Sequence, residues 1–233
     1  MLTKQNDSKL PRHIAFIMDG NRRWAAKRGL DKMLGHKKGC DVLKDLVKWI
    51  QEKKDIKYAS FFGFSTENWN RSEHEKRYLF NLFEELCDDY LKDADNRETK
   101  IVVMGDTTKF PKSLQEKLIK VVKISKNHKG LVINIGLNYG GRADIVHATN
   151  ELVKAGEEIT EESIKKHLYS CQSPDVDLLV RTSGEERLSN FMLYQLAYAE
   201  LYFAKVCWPG FSKRQFEKAL RAFSKRNRRF GGK

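Results

Sequence analysis

The stretch His13–Trp24, with the sequence HIAFIMDGNRRW, is the part of the chain that decides the fold. Its apolar run predicts a buried strand, and the turn formers Asp19-Gly20-Asn21 end that strand. Open α/β sheets bind ligands at such strand ends, and the backbone N–H groups that follow would be the free donors of a helix N-terminus. An anion fits these donors, and a divalent cation would reconcile it with the carboxylate of Asp19. A plain turn followed by a helix cap is the alternative interpretation.

Composition favours one domain with an anionic partner. The chain has 233 residues, enough for a single domain with a sizeable core. Its 44 Lys and Arg residues outnumber its 31 Asp and Glu residues, and the net charge of +13 suits a phosphorylated small molecule, nucleic acid or an acidic membrane surface. The four cysteines form no CxxC pair, which argues against a zinc or dithiol site and for reduced thiols in the cytoplasm. We expect neither a membrane-spanning segment nor a signal peptide.

Strand-like and helix-like segments alternate along the chain. Apolar runs predict strands at His13–Met18, Tyr58–Phe64, Ile101–Met104, Leu131–Ile135, Val176–Val180 and Leu201–Phe203. Apolar residues at helical spacing separate them, as in the stripe of Leu79, Leu82, Phe83 and Leu86. This alternation predicts an α/β fold, with a central, mostly parallel sheet flanked by helices in a single domain over residues 1–233. The basic run Lys225–Arg229 is typical of a solvated surface.

Three further polar clusters lie in or beside predicted strands. Phe64–Arg71 (FSTENWNR) offers hydroxyls, an amide, an arginine and an indole, which suits an amphiphilic ligand, although a helix-capping sequence is the alternative. Arg181–Asn190 (RTSGEERLSN) suits a diphosphate because a guanidinium grips two phosphate oxygens at once, although it also fits an exposed charged loop. Glu200 interrupts an apolar, aromatic run, where a carboxylate needs a metal or an arginine partner.

Together these motifs resemble the cis-prenyltransferases over nearly the whole chain, from about Pro11 to Gly232. The motifs occur in the order typical of the family, which makes the resemblance specific although each motif alone is weak. They are His13–Ala25, Gly35-His36, Phe64–Arg71, Leu137–Arg142, Arg181–Phe191 and Ala197–Phe203. The resemblance implies a single α/β domain with a hydrophobic tunnel, assembled as a homodimer.

The resemblance implies a Mg²⁺-dependent transferase that joins isopentenyl diphosphate to an allylic diphosphate such as farnesyl diphosphate. Each added unit carries a cis double bond, and we expect a product of undecaprenyl length, the lipid carrier for cell-wall glycan synthesis. Because the carbocation must be shielded from water, the cavity should be apolar. We expect it to be lined by the helical stripe named above and by Gly63, Phe64, Ile135 and Leu137. The long hydrocarbon product and the basic surface favour a cytoplasmic enzyme with peripheral contact at the inner face of the membrane.

The resemblance also assigns roles to individual residues. Asp19 is the essential carboxylate that engages Mg²⁺, and Glu200 is a second metal ligand, from the same subunit or across the dimer. The residues implied for the allylic diphosphate are Gly20, Asn21, Arg22, Arg23, Lys32 and His36, of which Lys32 replaces a common arginine. The residues implied for isopentenyl diphosphate are Arg181, Arg187 and Ser189. Trp24 and Leu188 are further residues implied for substrate binding. The site is framed by Ser65, Thr66, Glu67, Trp69 and Arg71. Asn68 is the implied proton acceptor, and because an amide is a weak base, the departing diphosphate or a water shares that role.

Other functions stay open on the sequence alone. A synthase of shorter or longer polyprenyl chains would carry the same motifs. A non-catalytic partner subunit of the same fold would typically lack the first-strand aspartate or the arginines of the third cluster, and both are present. A nucleic-acid binder is suggested by the net charge, but the aromatic residues do not alternate with basic ones as in an RNA-binding sheet. We therefore expect no nucleic-acid partner.

Overall fold

The computed structural model describes residues 10–226, and within that range the chain folds around one six-stranded sheet. All paired strands run parallel, in the spatial order β3-β4-β2-β1-β5-β6. The strands are β1 (His13–Ile17), β2 (Tyr58–Ser65), β3 (Lys100–Met104), β4 (Val132–Tyr139), β5 (Leu178–Arg181) and β6 (Glu200–Phe203). The predicted α/β class and parallel sheet are confirmed.

Helices connect the strands and cover the sheet, as parallel crossovers require. In the described residues they are α1 (Asn21–Ala26), α2 (Lys32–Gln51), α3 (Glu73–Leu91), α4 (Lys112–Ser125), α5 (Gly141–Ala155), α6 (Glu161–His167) and α7 (Lys213–Ser224), and a 3-10 helix spans Thr66–Asn70. Side chains fix the starts of the two longest helices. Asp31 accepts a hydrogen bond from the Met33 N–H at 2.7 Å, and Ser72 accepts one from the Glu75 N–H at 3.3 Å.

The first strand is buried along its whole length because both faces of the sheet are covered. Successive side chains of a strand point to opposite faces. Ile14 and Phe16 accordingly join the core formed with α2, α3, α4 and α7, whereas Ala15 and Ile17 join a second core around Tyr139 and Phe191. The continuous apolar run at the start of the chain therefore encodes a central strand with core on both sides.

The topology brings three polar clusters to one place. The chain leaves β1 toward β2 on one side of the sheet and later returns to add β5 on the other side. The carboxyl end of β1 is therefore flanked by the carboxyl ends of β2 and β5, which is where open α/β sheets bind ligands. Asp19, Ser65 and Arg181 lie at these three ends, as the motif spacing predicted.

Two predicted strand boundaries were wrong by several residues. Strand β4 continues four residues past Ile135, because it stays paired with β2 as far as Tyr139, opposite Ser65. Strand β5 begins at Leu178 instead of Val176 and includes Arg181. In the described residues, no helix combines the length and the apolar character that crossing a bilayer requires. The ends of the predicted 1–233 domain and most of the basic run Lys225–Arg229 lie outside the described residues.

His13 is a fully buried, polar anchor at the start of β1. Its Nδ1 lies 2.7 Å from the Pro174 carbonyl oxygen and its Nε2 lies 2.7 Å from the Ser60 Oγ. Burial lowers the pKa of His13 to about 4, in spite of the opposing Pro174 carbonyl and the nearby Asp177 and Asp175 carboxylates. The folded protein therefore keeps this imidazole neutral through the mildly acidic range.

This burial predicts a specific loss of stability in acid. The unfolded chain binds a proton at His13 near pH 6.5, whereas the folded chain does so only near pH 4. The contribution of His13 is therefore complete above pH 6.5 and falls as the pH decreases from 6.5 to 4, by about 3 kcal/mol in total. Urea unfolding of the wild type and of His13→Asn across this range checks the prediction. The variant should show the shallower pH dependence, and equal slopes would contradict it.

Candidate active site

A cavity of about 850 Å³ opens at the carboxyl edge of the sheet and extends between β2, β4 and the helices α2 and α3. Its two ends differ in chemistry. Polar and charged residues line the mouth, namely Asp19, Asn21, His36, Ser65, Glu67, Asn68, Arg71, Arg142, Arg181, Ser189 and Asn190. Apolar side chains line the interior. The cavity therefore has the form expected for a ligand with a charged head and a hydrocarbon body.

Asp19 is held rigidly at the end of β1. Its backbone N–H donates to the Thr182 Oγ1 at 2.9 Å, and its carbonyl oxygen accepts from the Thr182 hydroxyl at 2.7 Å and from the Trp208 N–H at 2.9 Å. Its carboxylate faces two guanidinium groups, with Arg181 Nη2 at 2.9 Å and Arg23 Nη2 at 3.2 Å. Because the Asp19 carboxylate lies between Arg181 and Arg23, an anionic ligand bound at this point could contact the same two arginines.

Arg181 is a buried cation, 3% exposed, at the last position of β5. Its Nη1 donates to the Ser189 Oγ at 2.8 Å and to the Arg187 carbonyl oxygen. Its Nε is buried without a hydrogen-bond partner among the described residues. A buried guanidinium with a spare donor, lining a cavity, is well suited to bind an oxyanion.

The loop after β5 directs its other charges outward. Glu185 joins Arg23, at 2.6 Å, and Arg187 in a chain of ion pairs. Arg187 is exposed and does not line the cavity. Left-handed backbone at Ser183, Ser189 and Asn190 gives this loop its shape. The structure therefore brings Ser189 to the site with Arg181, whereas Arg187 reaches it only through its carbonyl oxygen, and its predicted contact with substrate stays a prediction.

The 3-10 helix after β2 presents one face to the cavity. The Ser65 N–H donates to the Asn68 Oδ1 at 3.1 Å, which fixes the side-chain amide that was predicted to accept a proton. Burial opposes ionisation of Glu67, but hydrogen bonds from its own backbone and from Ser65, Asn190 and Thr66 outweigh it and lower the pKa of Glu67. Glu67 is therefore a carboxylate at neutral pH and a second anion beside Asp19 in the mouth.

Glu75 is the residue that sequence reasoning missed. It lies in the first turn of α3, is 2% exposed and accepts from Arg71 Nη1 at 2.6 Å. His36 Nε2 lies at 3.2 Å, Arg22 Nη1 at 3.8 Å and Lys32 Nζ at 4.0 Å from the same carboxylate. Burial opposes ionisation, but the charges of Arg71 and Arg22 outweigh it and lower the pKa of Glu75. The predicted binding residues of three separate elements thus converge on one buried anion.

His36 is neutral in this arrangement. Burial and the nearby Arg71 charge lower the pKa of His36, although Glu75 acts in the opposite direction. Because Glu75 is ionised, the neutral ring donates through Nε2 and keeps a lone pair on Nδ1. His36 is therefore a buried hydrogen-bonding residue in the cavity wall, and its contact with the allylic diphosphate stays a prediction.

Removing the Glu75 charge should weaken substrate binding more than stability. Glu75→Gln leaves Arg71, Arg22 and Lys32 to repel one another, and we expect kcat/KM to fall about 10- to 100-fold. Steady-state kinetics check this expectation. Glu73→Gln is the matched control on the same helical turn, since Glu73 is exposed and, within residues 10–226, forms an ion pair only with Lys76. A Glu75→Gln variant with the kinetics of the control would contradict the positioning role.

The interior of the cavity is the apolar tunnel that was predicted. It is lined by Leu43, Phe61, Phe62, Gly63, Leu79, Leu82, Phe83, Leu86, Tyr90, Ile101, Leu118, Val121, Ile135 and Leu137, among others. Seven of the eight residues predicted for the lining are present. Phe64 is the exception, because it points into the aromatic cluster of Trp69, Phe80 and Phe110. Burial raises the pKa of the lining thiols Cys40 and Cys87 to about 11, so both stay protonated.

The indoles of Trp69 and Trp24 do not line the cavity. Trp69 packs against Phe64, Phe80 and Phe110, and its Nε1 donates to the Asn138 Oδ1 at 2.7 Å. Trp24 stacks under Arg28, whose guanidinium lies 4.3 Å from the ring centroid. The predicted role of Trp24 in substrate binding and that of Trp69 in framing the site therefore stay predictions. Both indoles lie in mixed polar segments, where spacing alone does not show which way a side chain faces.

Some predicted residues lie beside the mouth without lining it. Gly20 has φ 99°, and a Cβ there would lie 2.7 Å from the Ser183 Oγ, so only glycine fits. Thr66 contacts the closely packed Gly140, and Leu188 packs against the second core. Gly20, Thr66 and Leu188 therefore pack beside the residues that line the mouth and help to fix their positions.

Glu200 does not meet Asp19 within one chain. It begins β6 in register with Leu178, which is in register with Ile14. Asp19 lies five residues further along, about 16 Å at the rise of a strand. Glu200 instead pairs with Arg226 Nη1 at 2.7 Å. Only a second copy of the chain could bring Glu200 to this cavity, and its metal role stays a prediction.

Asn190 and Arg142 are further lining residues that the prediction left out. Asn190 connects three segments through hydrogen bonds. Its carbonyl oxygen accepts from the Gly141 N–H at 2.6 Å, and its Oδ1 accepts from the Arg142 N–H at 2.9 Å. Its Nδ2 donates to the Glu67 carboxylate at 3.2 Å. A Cβ on Gly140 would lie 2.7 Å from the Asn190 Nδ2, which explains the glycine. The Gly140-Gly141-Arg142 motif was the feature of the sequence that could have indicated this part of the cavity wall.

Comparison with known proteins indicates the same family as the sequence motifs. A sequence model of the family described as "Putative undecaprenyl diphosphate synthase" matches residues 17–231. An isoprenyl transferase of Fusobacterium nucleatum is 43% identical over 97% of this chain and 98% of that relative. A ditrans,polycis-undecaprenyl-diphosphate synthase, (2E,6E)-farnesyl-diphosphate specific, of Pasteurella multocida is 42% identical over 99% of each chain.

Solved structures share the fold over its full length. Lavandulyl diphosphate synthase from Lavandula x intermedia, in complex with dimethylallyl diphosphate, has a TM-score of 0.90 and 32% identity, and the match covers 95% of this chain and 98% of that chain. A probable undecaprenyl diphosphate synthase from Campylobacter jejuni has a TM-score of 0.81 and 31% identity, covering 96% and 99%. With one cavity that joins the predicted motifs, and with relatives that match from end to end, this chain belongs to the undecaprenyl diphosphate synthase family of cis-prenyltransferases.

Proposed function

We propose that this protein condenses isopentenyl diphosphate with farnesyl diphosphate to make a long-chain cis-polyprenyl diphosphate of undecaprenyl length, the lipid carrier for cell-wall glycan synthesis. The observation that carries the proposal is a single cavity with a cationic mouth around Asp19 and Arg181 and an apolar tunnel behind it. Relatives over 40% identical that are named as farnesyl-diphosphate-specific synthases support the primer.

The mouth can hold two diphosphates at once. Arg181, at the end of β5, and Ser189, on the loop that follows, offer donors to isopentenyl diphosphate. Asn21, Arg22 and Arg23, at the start of α1, offer donors to the allylic diphosphate, because no side chain caps that helix. Arg71 and His36 lie between these two groups, anchored on Glu75. Fixing both substrates in one mouth turns an encounter of two molecules into an internal reaction.

The residues of the mouth fit a magnesium ion that is shared with substrate. In the part of the chain that the structure describes, no group of three or more His, Cys, Asp and Glu could hold a metal by itself. Mg²⁺, however, binds well through one or two carboxylates together with substrate phosphates and waters. Asp19 supplies such a carboxylate, partly exposed beside Arg181. Bound there, Mg²⁺ would neutralise the charge that builds on the departing diphosphate.

The tunnel protects the reaction and takes the growing chain. Leu79, Leu82 and Phe83 exclude water from the region directly behind the mouth, which protects an allylic cation from hydrolysis. The carbonyl of Asn68 is occupied by the Ser65 N–H, and an amide is a weak base. We therefore assign the final proton to the departing diphosphate, with Asn68 orienting the atoms around it.

A shorter product is the second candidate. The likeness to lavandulyl diphosphate synthase, solved with a five-carbon allylic substrate, favours it. The tunnel favours the longer product, because it continues along α3 from Leu79 to Tyr90 and reaches Ile101 at the far end of β3. Those twelve residues of helix span about 16 Å from first to last, well beyond the length that one short allylic chain needs.

A homodimer would complete the proposed site. Val146 and Val153 lie seven residues apart on α5 and are among the most exposed large apolar side chains in the described residues. An exposed apolar stripe of this kind favours association. A dimer would also give Glu200 a route to the partner's Asp19. The cytoplasmic location remains a prediction.

A product assay tests the proposed function. The purified protein is incubated with labelled isopentenyl diphosphate, farnesyl diphosphate and Mg²⁺, and the products are separated by chain length. We expect undecaprenyl-length chains, and no turnover when EDTA removes the metal although the melting temperature stays unchanged. Chains no longer than farnesyl would contradict the proposal, and products of another length would support the second candidate.

A further inference from the structure

The turn between α1 and α2, together with the first turn of α2, carries exposed apolar side chains that the proposed reaction does not use. Leu30 is 41% exposed and Leu34 is 46% exposed. Gly29 adopts left-handed backbone with φ 64°, and a Cβ there would meet nothing within 4 Å, so the turn projects from the surface. We name this surface the mouth patch and define it by Trp24, Lys27, Arg28, Leu30, Leu34 and Lys37.

The mouth patch is strongly basic. Residues 22–38 contain seven Lys and Arg residues against one acidic residue, Asp31. Asp31 is engaged as the cap of α2. In the described residues, no ion pair involves Lys27, Arg28 or Lys37, so their charges are not neutralised locally. The net field of this surface therefore attracts anions.

Trp24 adds an aromatic side chain of the kind that anchors proteins at a membrane interface. Its ring is half-buried, and the Arg28 guanidinium lies over it. Indole rings favour the headgroup level of a bilayer, and leucines beside basic residues insert just below it. Aromatic, aliphatic and cationic groups thus occur together on one projecting surface.

The mouth patch borders the entrance of the cavity. Asn21 of α1 and His36 of α2 line the cavity wall, and Arg22 and Lys32 on the same two helices reach Glu75 at 3.8 and 4.0 Å. A bilayer that contacts the patch would therefore lie next to the opening through which product leaves.

We propose that the mouth patch docks this enzyme on an anionic lipid bilayer, so that the polyprenyl product passes from the tunnel into the membrane beside it. The proposal rests on the proposed function, because a hydrocarbon product is what gives the position of the patch its purpose. Charge complementarity selects the occupant. A surface of net positive charge with exposed leucines matches anionic headgroups above acyl chains.

Vesicle flotation of the full-length protein tests the proposal. Vesicles of phosphatidylcholine with an equal part of phosphatidylglycerol are compared with vesicles of phosphatidylcholine alone. We expect the wild type to float with the anionic vesicles and not with the neutral ones, and the double variant L30S/L34S to bind at least about tenfold more weakly. Ile119→Ser is the matched control, since Ile119 is 66% exposed on the lysine-rich α4.

The outcomes separate docking from catalysis. Equal binding by L30S/L34S and wild type, equal binding to neutral vesicles, or no binding to either vesicle would overturn the proposal. Should L30S/L34S fail to fold, K27E/K37E is the second variant, with the same expected loss. Prenyl transfer in detergent should be the same for L30S/L34S and wild type. Absence of transfer by the wild type would count against the proposed function, whereas normal transfer without flotation would count against docking alone.

Discussion

Asp19→Ala is expected to lower kcat by about 1,000-fold or more while the protein stays folded. The carboxylate sits at the end of β1, in the mouth of the cavity, between Arg181 and Arg23. Its loss removes the protein's oxygen ligand for the proposed Mg²⁺ and leaves two cations without their shared anion. The backbone of this residue is held independently by Thr182 and Trp208, so the fold does not depend on its side chain.

Asp19→Asn separates charge from shape. The amide keeps the volume and still accepts a hydrogen bond from Arg181, but it is a poor ligand for Mg²⁺. We expect Asp19→Asn to be nearly as inactive as Asp19→Ala, with a melting temperature close to that of the wild type. Steady-state kinetics over a range of Mg²⁺ concentrations, together with thermal unfolding, check both variants. Near-normal activity of Asp19→Asn would show that the residue only orients Arg181.

Bulk placed in the tunnel is expected to shorten the product. Leu82 and Leu86 lie one helical turn apart on α3 and both line the cavity. From Leu82 to Tyr90 the helix spans about 12 Å, and from Leu86 about 6 Å, so tryptophan at Leu82 blocks twice the depth. We expect Leu82→Trp to reduce undecaprenyl-length product at least tenfold, with overpacking costing about 1–3 kcal/mol of stability. Leu86→Trp should give chains of intermediate length.

The difference in product length between Leu82→Trp and Leu86→Trp checks this prediction. Product chromatography after equal turnover gives the length distribution for each variant, and Ile119→Trp, on the outer face of α4, serves as the control for added bulk. Because neither leucine lies at the mouth, transfer of the first unit should continue. Equal product lengths for the two tunnel variants and the control would show that the growing chain does not follow this tunnel.

Local sequence predicted the elements that depend on buried runs and strand ends. The continuous apolar residues of β1 could form only a strand covered on both faces, and the turn after it placed Asp19 at the sheet edge. Two further clusters followed predicted strands, and a parallel sheet brings all carboxyl ends to one edge. The sequence was therefore sufficient to predict that Asp19, Ser65 and Arg181 meet at one edge of the sheet.

Features that depend on helix packing were beyond the sequence. Glu75 follows the serine that caps α3 and has the pattern of an ordinary first-turn acid, which favours the helix dipole. Arg71 is a local partner four residues earlier, but the burial of Glu75 against His36, Arg22 and Lys32 arises only when α1, α2 and α3 meet. No spacing rule links residues forty positions apart on different helices.

Side-chain direction was the other gap. Trp69 follows polar residues in a short 3-10 helix, where every third residue shares a face. Glu67, Asn68 and Arg71 face the cavity, and Trp69 faces the aromatic cluster with Phe110 instead. Such an assignment needs the position of β4 and of Asn138, which the local sequence does not contain.

The central claim is that diphosphate groups bind at the end of β1 and the hydrocarbon chain lies in the tunnel behind. A crystal structure with Mg²⁺ and an unreactive thiolo analogue of farnesyl diphosphate tests it most directly. We expect the diphosphate between Asp19 and the N-terminus of α1, and the farnesyl chain against Leu79, Leu82 and Phe83. An analogue bound with its diphosphate away from Asp19, or with its chain outside the space between α2 and α3, would contradict the account.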